Sequence, residues 1–458
     1  MSFPRYPEYK DSGVEWLGDV PGHWEVKALK NVISRIESGV SVNAIDTPAA
    51  EGEIGVLKTS CVYRGWFDPA ENKAVVPEEY GRVACPVTAG TLIVSRMNTP
   101  DLVGAAGMVR ESHPGLFLPD RLWQVHFAAA HAAFIHYWTH SPLYRAQVQQ
   151  VCAGASSSMQ NLAQDQFRAF TLALPPVREQ TAIAVFLDRE TAKIDALVAE
   201  QKNLIALLKE KRQALISHAV TKGLDPDVPM KDSGVAWLGE VPAHWKVLPI
   251  RAVAQLESGH TPSRSRPDYW ENCDTPWFTL ADVWQIREGA DYVFETKECV
   301  SALGLANSSA RLLPAGTVIL SRTASVGFSA IMGVPMATTQ DFANWICGLK
   351  VLPRYLLHTL RAMRKEFERL KFGSTHNTIY MPDIAAFRFA LPSIEEQEII
   401  CAFVDRELSQ IDGLTTKAQS TIALLQERRT ALISAAVTGK IDVRDLPAAS
   451  AEPTPEPA

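Results

Sequence analysis

The side chains best suited to chemistry in this chain are basic, amide and aromatic residues at matching places in its two halves. Arg96 ends the segment AGTLIVSR (89–96), and Arg322 ends AGTVILSR (315–322). Each segment is a short apolar, β-branched run after a glycine turn, which is typical of a buried strand. An arginine at the end of such a strand should emerge at the sheet edge, where it can contact phosphates or base edges.

A loop rich in Gly, Ser, Thr and amide side chains follows in each half. GASSSMQNLAQDQF (154–167) parallels GSTHNTIYMPDIAAF (373–387), and the alignment pairs Asn161 with Asn377. Such loops suit contacts to phosphates and base edges. A hydrogen-bonded turn that caps the following helix is the equally weighted alternative, and both can hold together. The candidate contact residues are Gln160, Asn161, His376 and Asn377.

Two further segments interleave basic and aromatic residues, a weak sign of nucleic-acid binding when taken alone. HTPSRSRPDYW (260–270) places Arg264 and Arg266 beside Tyr269 and Trp270. LKTSCVYRGWF (57–67) contributes a fainter equivalent, with Lys58 and Arg64 as its candidate contacts. The two halves diverge directly after Arg96 and Arg322, so these arginines are not taken to play identical roles.

Signatures of catalysis are missing from the sequence. It contains no GxxxxGK[ST] loop, no GxGxxG after a strand, no HExxH, no GxSxG and no Asn/Asp-Pro-Pro-aromatic tetrapeptide. Seven scattered cysteines without a CxxC pair indicate reduced thiols and argue against a metal site. His23 and His244 each precede a tryptophan and are predicted to pack or hydrogen-bond beside it. With no apolar run of about 20 residues and no apolar signal core, the expected location is cytoplasmic.

The net charge of −6 is unevenly distributed. Residues 27–175 are neutral overall and residues 248–392 carry a net charge of +2, so the remainder holds −8. The two large segments are therefore neutral enough to present a local basic face.

A long-period repeat organises the chain. KDSGVEWLGDVPGHWEV (10–26) recurs as KDSGVAWLGEVPAHWKV (231–247), with thirteen of seventeen positions identical. LALPPVREQTAI (172–183) matches FALPSIEEQEII (389–400), and ALISHAVTKG (214–223) matches ALISAAVTGK (431–440). The segments between these blocks barely resemble each other, so the flanking motifs repeat while the two large segments between them differ in sequence.

Each copy of the repeat ends in a long helical pattern. Apolar residues recur every three or four positions from Ile183 to Leu215 and from Ile400 to Leu432. Roughly 40 residues would form a rod of about 60 Å. The length and the narrow apolar stripe favour a helix pair of coiled-coil type over two ordinary core helices.

These motifs together resemble the specificity subunit of type I restriction–modification systems, over residues 5–445. The resemblance implies an α+β fold with two tandem mixed α/β target-recognition domains, two long antiparallel spacer helices and a pseudo-two-fold internal repeat. The implied segments are target-recognition domain 1 at 1–175, spacer helix 1 at 176–225, target-recognition domain 2 at 226–391, spacer helix 2 at 392–445 and a disordered tail at 446–458.

The resemblance also implies partners and a non-catalytic role. Each domain would read one half of a split site on double-stranded DNA, and unlike domains predict an asymmetric site. The implied partners are two methyltransferase subunits and restriction/translocase subunits, which would hold the S-adenosylmethionine and the ATP and Mg²⁺. No cofactor is expected in this chain. The alternatives are a coiled-coil scaffold with two protein-binding domains and, less favoured, a nuclease or methyltransferase with cryptic motifs.

Overall fold

The computed structural model describes residues 3–152, 159–287, 289–372 and 377–444, which form two compact units. The first unit contains the residues up to Gln201 together with those from Ser420 onward, and the second contains Lys202–Gln419. The predicted disordered tail at 446–458 lies outside the described residues. Among those described, no helix is long and apolar enough to cross a membrane.

The first unit combines mainly antiparallel sheets, in which only the pair of β11 and β6 is parallel among the described strands, with short helices. Its strands are β1 (Tyr9–Asp11), β2 (Asp19–Pro21), β3 (Glu25–Ala28), β4 (Ile33–Ser38), β5 (Ala44–Ile45), β6 (Gly55–Leu57), β7 (Asn72–Val75), β8 (Leu92–Ser95), β9 (Met97–Asn98), β10 (Ala106–Met108), β11 (Leu116–Phe117), β12 (Leu122–Phe127), β13 (Gln160–Asn161) and β14 (Thr171–Leu174). Its helices are α1 (Ala132–Trp138), α2 (Pro142–Cys152), α3 (Gln164–Ala169) and the first part of α4 (Val177–Lys222). The larger sheets have the orders β10-β8-β12-β4 and β11-β6-β7-β5, and β3 pairs with β14.

The second unit repeats this plan with different details. Its strands are β15 (Met230–Asp232), β16 (Glu240–Pro242), β17 (Lys246–Pro249), β18 (Ala254–Ser258), β19 (Thr275–Phe278), β20 (Tyr292–Val293), β21 (Glu298–Val300), β22 (Val318–Ser321), β23 (Ser329–Met332), β24 (Ala337–Thr338), β25 (Phe342–Cys347) and β26 (Arg388–Leu391). Its helices are α5 (Trp284–Arg287), α6 (Ala302–Ala306), α7 (Pro353–Ala362), α8 (Arg364–Leu370), α9 (Met381–Ala385) and most of α10 (Ile394–Val437). The sheets have the orders β18-β25-β22-β23-β20 and β21-β19-β24, and β17 pairs with β26.

The strands β8 and β22 that precede Arg96 and Arg322 are buried along their whole length, as their β-branched sequences predict. Each lies inside its sheet, since β8 pairs with β10 and β12, and β22 pairs with β23 and β25. Each sheet packs on a short helix, α1 or α7, within a core that also contains a fully buried tryptophan, Trp123 or Trp345.

The long helices α4 and α10 contain 46 and 44 residues, which corresponds to about 69 and 66 Å. They end before the limits predicted for the spacer segments, because Gly223 (φ +75°) and Gly439 (φ +72°) take the left-handed conformation that terminates a helix. Each helix contributes to both compact units instead of standing apart from them.

The two long helices run antiparallel, as the resemblance implied. In the first unit the first half of α4 contacts the second half of α10, where Arg429 pairs with Asp195 at 3.1 Å. In the second unit the second half of α4 contacts the first half of α10, where Arg212 pairs with Asp412. Toward the ends of both helices most residues of the apolar stripe are buried.

Three leucines of the predicted stripe are exceptions. Leu197, Leu204 and Leu414, near the middle of the helices, are 45%, 39% and 49% exposed. The helix spacing alone could not distinguish them from the buried positions, because burial there depends on whether a sheet or another helix covers the stripe.

Candidate DNA interface

The strand end that carries Arg96 is joined to the polar loop of the first unit. Immediately after Arg96, β9 pairs with β13 so that Met97 lies opposite Asn161 and Asn98 lies opposite Gln160. The backbone N–H of Leu162 donates to the carbonyl of Arg96 at 2.8 Å. The strand end with Arg96 and the polar loop, which are far apart in the sequence, therefore form one short two-stranded ladder beyond the end of β8.

The second unit builds the same ladder around Arg322. Thr323 forms a bridge with Thr378, and the N–H of Ile379 donates to the carbonyl of Arg322 at 2.9 Å. The N–H of Ala324 donates to the carbonyl of Asn377, also at 2.9 Å. We call these two arrangements the Arg96 ladder (96–98 with 160–162) and the Arg322 ladder (322–324 with 377–379).

The register of the ladders corrects the sequence alignment by one residue. Because Leu162 and Ile379 make the same bond to the two arginines, Asn377 corresponds to Gln160, and Thr378 corresponds to Asn161. The predicted equivalence of Asn161 and Asn377 is wrong. A shift of one residue in an extended strand reverses the face on which a side chain lies, so the matched amides are Gln160 and Asn377.

The two arginine side chains have different surroundings. The Arg96 guanidinium lies 5.9 Å from the ring centroid of Trp123, and its Nε is buried without a hydrogen-bond partner. Arg322 donates from Nε to the carbonyl of Gln340 at 2.9 Å and from Nη1 to that of Ile379 at 3.3 Å. Backbone carbonyls therefore fix the direction of the Arg322 side chain.

The segment with Arg264 and Arg266 is linked to the Arg322 ladder through Gln340, whose side-chain oxygen accepts from the hydroxyl of Thr261 at 2.7 Å. Arg264 lies 3.9 Å from the ring centroid of Trp270 and 2.5 Å from a carboxylate oxygen of Glu298. Arg266 forms a two-point pair with Asp268, at 3.0 and 2.7 Å. Water screens exposed ion pairs of this kind and they contribute little to stability, so a phosphate can compete with either carboxylate.

The fainter basic segment of the first unit approaches the Arg96 ladder through Tyr63, whose hydroxyl accepts from the side-chain amide of Asn98 at 2.7 Å. Arg64 is exposed and follows Tyr63. Lys58 precedes Thr59, whose hydroxyl lies 2.7 Å from that of Tyr63, and its side chain shares Asp46 with Lys73, at 3.4 and 3.1 Å. His376 lies outside the described residues.

Sequence reasoning missed a polar cluster that both units share. In the first unit Glu179, only 6% exposed, accepts hydrogen bonds from Trp24 Nε1 at 2.9 Å and from the Tyr6 hydroxyl at 2.5 Å. Its second oxygen lies 2.8 Å from His23 Nε2. Burial, together with the Glu179 carboxylate, raises the pKa of Tyr6.

The second unit holds the same cluster in a more open form. Glu396 accepts from Trp245 Nε1 at 2.9 Å and lies 3.1 Å from His244 Nε2. His23 and His244 therefore hydrogen-bond beside their tryptophans, as the sequence predicted, and the carboxylate was the missing partner. The repeated Glu-Gln pair at each helix start was the signal that could have revealed it.

The glutamine of that pair joins the start of each long helix to the start of the short helix of its unit, α1 or α7, and to the proline that follows β14 or β26. Gln180 accepts from the N–H of His131 at 2.7 Å and donates to the carbonyl of Pro175 at 2.8 Å. Gln397 makes the same contacts with Leu352 and Pro392, at 2.8 and 3.1 Å. In each unit the Trp-rich segment and the short helix that packs on the recognition sheet are therefore both bonded to the start of the long helix, and we call this arrangement the joint.

Fold and site together define a tandem-repeat protein whose two units present different side chains on equivalent ladders. Residues 242–423 match the family described as the type I restriction modification DNA specificity domain. The MjaIX specificity subunit of a type I restriction enzyme from Methanocaldococcus jannaschii is 27% identical over 42% of this chain and 43% of its own length. The EcoR124I/EcoR124II specificity subunit from Escherichia coli is 25% identical over 42% of this chain and 46% of its own length.

The chain thus matches less than half the length of these relatives. A solved structure on complex assembly and conformational transition of the type I R-M system contains a chain that shares the fold. Its TM-score is 0.68 at 15% identity, and the likeness covers 91% of this chain and 98% of that one. Over these parts of its length the chain is similar to the specificity subunits of type I restriction enzymes.

Proposed function

We propose that this protein recognises an asymmetric, two-part sequence on double-stranded DNA, with one half read by each unit. The observation that supports this most strongly is the pair of ladders. Both units place an arginine strand end beside a short polar strand, yet the residues there differ, with Gln160 and Asn161 in one unit and Asn377 and Thr378 in the other. Equivalent positions with unlike side chains are expected when two half-sites have unlike sequences.

The chemistry of the ladder residues fits contacts in the DNA grooves. Side-chain amides of Asn and Gln can bond adenine through two atoms, and arginine can do the same with guanine. We assign base contacts to Gln160 and Asn377, the amides in matching register. Contacts to phosphates or base edges are proposed for the remaining candidates, which are Lys58, Arg64, Arg96, Asn161, Arg264, Arg266, Arg322 and His376.

The protein is proposed to act without catalysis of its own, as the subunit that directs two methyltransferase subunits and restriction/translocase subunits to the DNA. S-adenosylmethionine, ATP and Mg²⁺ would be bound by those partners. Support comes from the family, and from joints at Glu179 and Glu396 that fix each recognition sheet to a long helix. Partner subunits that bind the helices would thereby be placed in a defined relation to the bases.

Mapping methylated bases in cells that express this chain with its methyltransferase subunits tests the proposal directly. Two different short sequences separated by a gap are expected. Gln160→Ala should relax the requirement in one half-site, and Asn377→Ala should relax it in the other. A palindromic or continuous methylated sequence would contradict the proposal.

Salt dependence distinguishes this function from a coiled-coil scaffold that binds only proteins. The affinity of a complex that contacts DNA phosphates falls steeply as the salt concentration rises, because binding releases counterions and this release becomes less favourable at high salt. The complex of this chain with its methyltransferase subunits should show that slope and a preference for the mapped sequence. A complex with no sequence preference would exclude the specificity role.

A further inference from the structure

Two large aromatic side chains stand exposed beside the Arg322 ladder. Phe372 is 70% exposed and Tyr380 is 52% exposed, and their ring centroids lie 6.4 Å apart at an angle of 48°. Burying such rings is favourable, so two adjacent exposed rings beside a candidate binding surface can extend that surface.

The backbone holds these rings in place. Phe372 and Thr378 exchange two backbone hydrogen bonds, both 3.0 Å long, and Thr378 also bridges to Thr323. Tyr380 follows Ile379, which bonds the carbonyl of Arg322, and it forms the N-cap of α9. The rings therefore flank the same ladder that presents Asn377, and their surface is continuous with the candidate DNA interface.

The charges around the rings favour a polyanion. The segment 364–371, which leads into Phe372, carries four basic and two acidic residues. Arg369 and Lys371 pair with Glu366 and Glu368, at 2.6 Å in each case. Arg364 and Lys365 are exposed and form no ion pair with the residues that the structure describes. Helix α9, which follows Tyr380, adds one acidic residue, Asp383. Positive charge attracts the phosphates of a nucleic acid. The exposed rings can be covered by the face of a base, on which aromatic side chains stack.

We infer that Phe372 and Tyr380 form an aromatic wedge that stacks on bases of the half-site read by the second unit. The inference rests on the proposed function and adds a structural requirement to it. Apolar side chains that enter a base step partly unstack it, and the energy needed is smallest at flexible pyrimidine–purine steps. The second half-site should therefore contain or adjoin such a step.

Among the residues that the structure describes, the first unit has no aromatic ring at the position equivalent to Tyr380. Leu162 makes the bond to Arg96 that Ile379 makes to Arg322, so the residue equivalent to Tyr380 is Ala163. Ala163 is likewise the N-cap of the following helix, α3. Only one of the two half-sites should be distorted, which makes the other an internal reference.

The test uses the full chain co-expressed with its methyltransferase subunits and a duplex that carries the mapped target. 2-Aminopurine, whose fluorescence rises when it unstacks, replaces in turn each adenine of both half-sites and their flanks, except the bases that are methylated, which a methyltransferase itself flips out of the stack. The wild-type complex should raise the fluorescence at one step of the second half-site and at none of the first. Phe372→Ala and Tyr380→Ala should each weaken binding about 10-fold, and the double variant about 100-fold, with loss of the signal. Tyr380→Phe, which keeps the ring, should bind like the wild type.

Phe294→Ala is the matched control. Phe294 is 62% exposed in the same unit and stacks with Tyr292, away from the ladder contacts, so its loss should leave DNA binding and fluorescence unchanged. Thermal unfolding of each variant shows whether it is folded, and exposed rings should contribute little to stability.

Two results would overturn the inference while leaving the proposed function intact. In one, the double variant binds the target and unstacks it as the wild type does. In the other, it keeps its DNA affinity but loses its methyltransferase subunits, which would assign the rings to a protein interface. If the wild-type complex prefers no sequence, the proposed function fails, and the wedge fails with it.

Discussion

Replacing Glu179 with alanine should loosen the joint between the Trp-rich segment and α4. The substitution removes a charged acceptor of two hydrogen bonds and leaves Trp24 Nε1 and the Tyr6 hydroxyl buried without partners. Each buried polar group left unsatisfied costs about 1–3 kcal/mol, so the joint should lose about 4 kcal/mol. Glu179→Gln should cost less, since its oxygen can still accept from one of the two donors.

The second unit supplies a matched comparison. The Glu396 side chain is 30% exposed and accepts from one buried indole, so water can replace part of what Glu396→Ala removes. The expected loss is about 1–2 kcal/mol. Glu200, exposed on α4, is the control position, and Glu200→Ala should change nothing measurable.

Hydrogen exchange resolves the two joints within one sample. A local loss of about 4 kcal/mol corresponds to an approximately 1000-fold fall in amide protection, and about 1.5 kcal/mol to an approximately tenfold fall. The amides of β1 and β2 should respond to Glu179→Ala, and those of β15 and β16 to Glu396→Ala. Equal effects at both joints, or less than a tenfold change at the first, would refute the reasoning that burial of the donors sets the magnitude.

Three further predictions concern pH, spacing and modularity. Burial, followed by the charges of His140, Arg110 and Arg429, holds the pKa of His136 well below its ordinary value, so below about pH 6.5 only the unfolded chain gains this proton. The stability of the first unit should therefore fall as the pH drops from 6.5 to 5.5. His136→Leu, which introduces the residue found at the equivalent position, Leu357, of the second unit, should make the urea midpoint of unfolding less dependent on pH. An unchanged dependence on pH in that variant would contradict the prediction. Inserting four residues between Glu200 and Asn203 lengthens α4 by about 6 Å and should widen the gap between half-sites by one or two base pairs of about 3.4 Å, with the bases unchanged in the methylation map. An insertion that altered the bases but kept the gap would disprove the role of the helices as a spacer. Exchanging residues 27–175 for another such domain should change one half-site and leave the gap alone, and a change in both half-sites would contradict it.

The sequence by itself determined the frame of this protein. A helical pattern without Pro or Gly from Glu179 to Val220 predicted α4, and matching blocks in the same order predicted a second unit built on the same plan. Both signals are local, because helix spacing and repeated motifs can be recognised within a few tens of residues. They were sufficient to suggest the resemblance to type I specificity subunits, and the β-branched runs placed Arg96 and Arg322 at the ends of buried strands.

Only the tertiary structure decided which side chains act together. Gln160 pairs with a strand more than sixty residues earlier, and a one-residue error in that register exchanges the two faces of the strand and so matches the wrong amide to Asn377. Glu179 meets Trp24 across 155 residues, and its role was hidden because a carboxylate at a helix start normally faces solvent. Contacts between distant segments depend on how sheets and helices cover one another, and neither the spacing of residues nor their composition records that geometry.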